Sequence, residues 1–146
     1  MKKILMFFAV VILWTAQASH VAAIDLTYIL HNLPKTYNGS YKWHDDRATQ
    51  KVSVVVGKVS LEVNGNVLVE GIGEYKNREG DTKVNMKMQI SADRRIEIWE
   101  TNPEDDSTLV TNGSHVGTIS QDLRTIYAVW TTKATAKQGI LFLSAQ

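Results

Sequence analysis

The sequence predicts an all-β protein, an antiparallel up-and-down meander closing into a barrel of about eight strands behind a signal peptide. Three observations predict it. From Tyr37 onward apolar and polar residues alternate along most segments, the signature of strands with one buried face. Turn formers punctuate those segments so closely that no stretch is long enough for the crossover a parallel pair needs. Two segments also resemble each other. Ser91 and Asp93 match Ser120 and Asp122, and Ile98, Trp99 and Thr101 match Val129, Trp130 and Thr132, with two extra residues inside the later copy. This fits a pair of like hairpins in which Ser and Asp bond the turn backbone; convergence on a common turn is the alternative.

The chain opens with Lys2 and Lys3, an apolar run from Ile4 to Trp14, and then small residues including Ala16, Ala18, Ala22 and Ala23. That is the pattern of a secretory signal peptide, read here as residues 1–23, with cleavage after Ala18 as the other option. The apolar run of 11 residues falls short of the roughly 20 a spanning helix requires, so no transmembrane segment is expected in the mature chain. Residues 24–146 then form a single β-barrel domain. Losing Lys2 and Lys3 takes the formal charge from +1 to −1, and the near-neutral balance without a basic cluster argues against nucleic acid as a partner. The chain has no cysteine, so an exported domain must rest on packing and hydrogen bonds, and a lipid-anchoring cysteine is excluded. The expected location is periplasmic or secreted.

In chain order, Leu26, Ile29, Leu30 and Leu33 have helical spacing, with Asp25 as cap and Pro34 after the end; the segment reads as a plug for one barrel end or as a frayed arm. Tyr37, Gly39, Tyr41 and Trp43 share one strand face. The series Val52, Val54, Val56 changes parity to Val59, Leu61, Val63 at Gly57 and Lys58, which a bulge or a tight turn explains. Asn64-Gly65 reads as a two-residue type I′ hairpin turn. The return strand sets Val67, Val69, Gly71, Gly73 and Tyr75 inward, its glycines marking a sharp coil or a gap that a ligand or an aromatic ring fills. Val84, Met86, Met88 and Ile90 line the next strand. After the first repeat hairpin comes a turn-rich run, Thr101 to Asp106. A strand from Thr108 to Thr111 breaks at Asn112-Gly113, and Ser114 to Ser120 forms its own strand. The second repeat hairpin and a loop of residues 133–138 lead to a last strand, Gly139 to Ala145.

Gly39, Tyr41 and Trp43 on the first strand, the serial hairpins, and the ending Trp130 with Gly139 to Leu143 resemble the calycin-type barrels, the avidin and lipocalin group, over residues 37–145. The resemblance is one of architecture. It implies a barrel whose interior takes one small ligand, and it assigns no individual ligand contact. An outer-membrane barrel is the rival for an alternating chain behind a signal peptide. It requires an apolar, aromatic-girdled outer face, whereas the outward residues here include Asn85, Lys87, Gln89, Glu70 and Glu74, and aromatics make up only 8% of the chain.

Candidate ligand-binding residues are Tyr41, Trp43, Tyr75 and Trp130, whose rings and polar tips suit an apolar interior; ordinary core packing is the competing role. Trp99 shares a face with Glu97 and so fits the outside as an interaction anchor. His44, Asp45 and Asp46, with His31 and His115, could be a partial metal or base cluster, although a solvated loop explains the first three as well. The run Glu104 to Asp106 lacks the ligand spacing of a calcium loop. No Gly-x-Ser-x-Gly elbow or thiol is present, and no cofactor is expected. Asn38 and Asn112 stand in glycosylation-type triplets that also suit turns. The function expected is non-catalytic binding of a small apolar or amphipathic ligand, or else a protein-interaction module with a packed core. An enzyme would need His44 or His115 to converge with a carboxylate.

Overall fold

The computed structural model describes residues 23–44, 49–78, 80–101, 112–132 and 138–146. The expected signal peptide up to Ala22, Asp45 and Asp46, the acidic run Glu104 to Asp106, the strand Thr108 to Thr111 and residues 133–137 of the last loop lie outside the described residues. A short helix α1 (Leu26–Asn32) precedes eight strands: β1 (Thr36–Trp43), β2 (Thr49–Leu61), β3 (Val67–Lys76), β4 (Asp81–Ile90), β5 (Arg95–Thr101), β6 (Ser114–Ile119), β7 (Thr125–Thr131) and β8 (Gln138–Ala145). Each strand pairs antiparallel with the next, and β1 pairs with β8 from Tyr37↔Ala145 to Trp43↔Gly139, so the sheet closes without an edge.

Alternation sets what faces in. Val52, Val54 and Val56, Val67 and Val69, Val84, Met86, Met88 and Ile90, Ile96 and Ile98, Ile126, Leu141 and Leu143 form one continuous buried cluster. Outward positions of β4 such as Lys83, Asn85 and Lys87 are exposed. The parity change in β2 is a bulge and not a turn: the register shifts between Val56 and Lys58, and Val59 returns to the inside opposite Val69. Leu61 and Val63, expected inside with Val59, are exposed, because β2 and its hairpin run beyond the end of the packed interior.

The hairpin at Asn64-Gly65 stands where expected, but its turn differs. Only Gly65 has positive φ, at 80°, whereas a type I′ turn needs both central residues there. The Glu62 amide donates to Asn66 O and the Gly65 amide to Glu62 O, which makes a three-residue loop with glycine in the left-handed position. Asn64 keeps negative φ because its side-chain oxygen accepts from the Asn66 amide.

The two similar segments form the same turn. Ser91 Oγ donates to Asp93, whose carboxylate accepts from the Arg95 amide; Ser120 Oγ donates to Asp122, whose carboxylate accepts from the Arg124 amide. Each turn then places one residue at positive φ, Arg94 at 67° and Leu123 at 61°. The serine hydrogen bond is the main reason both aspartates sit below the usual carboxylate range.

α1 plugs this end of the barrel. Asp25 caps the Thr27 amide, Ile29 is fully buried, and Ile24 and Leu33 join the core. Ile24 donates its amide to Ala92 O and Val56 donates to Lys35 O, which ties the helix flanks to the barrel rim. The buried Leu123 side chain fills the same end, and its carbonyl accepts from the Tyr37 hydroxyl at 2.6 Å. Ile29→Ala should therefore cost about 2–5 kcal/mol by urea unfolding, and Val63→Ala should stay within about 0.5 kcal/mol. Equal effects would mean that the helix does not seal the core.

Candidate functional site at the aromatic end of the barrel

With α1 at one end, the opposite end is built from the end of β1, β3, β5 and β7 and the start of β2, β4, β6 and β8. Here the inward positions change character. Tyr41 and Trp43 come from β1, Tyr75 from β3, Thr82 from β4, Glu100 from β5, His115 from β6 and Trp130 from β7. All are buried except Trp43, which is partly exposed and packs against the core from the solvent side.

The four expected ligand-binding residues, Tyr41, Trp43, Tyr75 and Trp130, thus stand together. Tyr41 lies edge-to-face on Trp43 at 5.1 Å and on Tyr75 at 6.0 Å between ring centroids, and Trp43 lies edge-to-face on Trp130 at 4.9 Å. Glycines make the sockets for this cluster. A Cβ on Gly139 would strike the Tyr41 ring, and one on Gly113 would strike the Thr131 carbonyl oxygen and then the Trp130 ring. The gap expected at Gly73 is filled by Met86 and Val84.

Two residues outside the expected set complete the site. Glu100 is only 8% exposed, and its Oε1 accepts a hydrogen bond from the Tyr75 hydroxyl. His115, 1% exposed, brings Nε2 to 3.3 Å from the same oxygen, close enough for electrostatic contact but without hydrogen-bond alignment. Its ring also stands edge-on to Tyr41 at 5.7 Å. Parity along the strands marks both: Glu100 continues the inward series Ile96, Ile98, and His115 shares its face with Ile119. Burial raises the Tyr75 phenol well above its ordinary value, and the Glu100 charge and hydrogen bond push it the same way.

The histidines do not gather. His31 sits on α1 at the plugged end, donating from Nδ1 to Thr27 O at 2.8 Å, and His44 is exposed just after β1. Among the described residues no group of three or more His, Asp or Glu could hold a metal ion. Trp99 faces outward at 37% exposure and borders a surface cleft of about 540 Å³ with Asn112, Gly113, Ser114, Thr131 and Thr132. No helix among the described residues is long and apolar enough to cross a membrane. No known family model matches the chain, and no curated protein sequence matches it significantly.

Tyr37, like Tyr75, has its phenol raised, chiefly by burial, so the fold holds both protonated. Unfolded tyrosine ionises near pH 10. The stability these groups contribute is complete below that value and is lost as pH rises through it toward their folded values, at about 1.4 kcal/mol per pH unit for each. Unfolding free energy should fall above about pH 10, and Tyr75→Phe should flatten the fall. A wild-type and Tyr75→Phe difference that stays constant from about pH 9 to 11 would contradict this linkage.

Proposed function

We propose that this chain is an exported, non-catalytic β-barrel that binds a small amphipathic molecule at the end opposite α1, in the manner of the calycin-type barrels whose architecture it resembles. One observation carries the reading: Tyr41, Trp43, Tyr75 and Trp130 gather around the buried polar pair Glu100 and His115 at the end the helix leaves free. An apolar wall with a few placed polar groups is what small-molecule sites require. Plain core packing would be served better by Leu or Ile, because a buried carboxylate costs free energy that apolar side chains do not. Trp43, the partly exposed ring, is the gate: a ligand enters by displacing it from Trp130. Export rests on the leader pattern from Lys2 to Ala23. The convergence of His115 with Glu100 serves polarity here, since Glu100 Oε1 is already engaged by Tyr75.

A second reading, a protein-interaction module, draws on the outer face. Val116 pairs with Val129, Val129 with Ile140 and Tyr127 with Phe142 across β6, β7 and β8, and Tyr127, Ile140 and Phe142 are exposed. Trp99 stands beyond them on β5.

Titration with N-phenyl-1-naphthylamine, a neutral amphipathic fluorophore, separates the two. Saturable uptake is expected in the wild type, with about a tenfold or larger loss in Trp43→Ala and in Tyr75→Ala and no change in Trp99→Ala. Retained far-ultraviolet circular dichroism would show that the variants still fold. Unchanged uptake in both site variants, or no uptake at all, moves the function to the outer face.

A further inference from the structure

The polar atoms left open at the aromatic end define the head group of the ligand. Glu100 Oε1 takes both the Tyr75 hydroxyl and the approach of His115 Nε2, while Oε2 receives no hydrogen bond from the described residues. His115 is the one basic group within 4.0 Å of this carboxylate among the described residues, and no Lys or Arg stands there. His115 Nδ1, fully enclosed, has no hydrogen-bond partner among the described residues.

Glu100 Oε2, without a hydrogen bond from the described residues, offers an acceptor to a donor. A carboxylate as buried as that of Glu100 is costly to keep without a cation.

The surroundings favour a cation as well as a donor. Tyr41, Trp43 and Trp130 supply aromatic faces whose quadrupoles attract positive charge. Resting on the ligand-binding reading above, we propose that the site takes a protonated primary amine carried on an apolar body. Its ammonium N–H groups donate to Glu100 Oε2, and the apolar body lies between Trp43 and Trp130.

Three probes of equal chain length test the head group: octylamine, octanol and octanoate, titrated calorimetrically into the mature protein at neutral pH. Octylamine is expected to bind about tenfold or more tightly than either of the others. Glu100→Gln should remove that margin and bring octylamine level with octanol. Octanol or octanoate binding as tightly as octylamine overturns the amine assignment and leaves the binding site standing. Failure of all three to bind overturns the site and the assignment together. The wild-type comparison decides the matter even if Glu100→Gln does not fold.

Discussion

Closure of β1 onto β8 is the constraint on which the rest of the structure depends. Seven registered pairs, from Tyr37↔Ala145 to Trp43↔Gly139, convert an open meander into a barrel and give every inward side chain one shared interior. With no edge left to satisfy, the inner volume becomes the controlling quantity: each strand must send in residues whose sizes fit those from across the barrel. The glycines answer that requirement. Gly139 leaves room for the ring of Tyr41, and Gly113 for the Thr131 carbonyl and the Trp130 ring, so the largest side chains enter without forcing the strands apart.

The two barrel ends are solved by different chemistry. At the α1 end, Ile24, Ile29, Leu33 and Leu123 complete an apolar seal, with the Tyr37 hydroxyl bonded to the Leu123 carbonyl. At the other end the same alternation delivers Tyr41, Tyr75, Glu100, His115 and Trp130. There the interior becomes polar and aromatic, and the carboxylate accepts from a phenol with an imidazole beside it, its Oε2 receiving no hydrogen bond from the described residues. That asymmetry is the physical basis for reading one end as structural and the other as receptive.

Most of the fold was legible because strand parity and turn chemistry are local. The alternation in β1, β3 and β4, the bulge after Val56, and the Ser-x-Asp turns at Ser91 and Ser120 all follow from short-range rules, and the four aromatics of the site follow from the same parity. Details governed by contacts distant in sequence were not legible. Leu123 shares the positive φ that the matching turn gives Arg94, but the burial of its side chain under the barrel and the bond its carbonyl receives from Tyr37, 86 residues away, depend on the closed barrel. Asn64 escapes the expected turn through a side-chain bond to Asn66. Glu100 lies on inward parity yet is not singled out by the sequence, and His115 only as a metal or base candidate, because a charged or ionisable residue in a strand is usually on the outside. Their burial becomes intelligible only when β3, β5 and β6 are brought around the same axis.

The claim that the aromatic end is a receptacle is tested most directly by native mass spectrometry of the protein released without denaturation from the cells that make it. The account predicts a reproducible added mass that disappears when the protein is unfolded and is absent from Trp43→Ala prepared in the same way. A bare mass in the wild type, or an adduct that persists unchanged in Trp43→Ala, would contradict it.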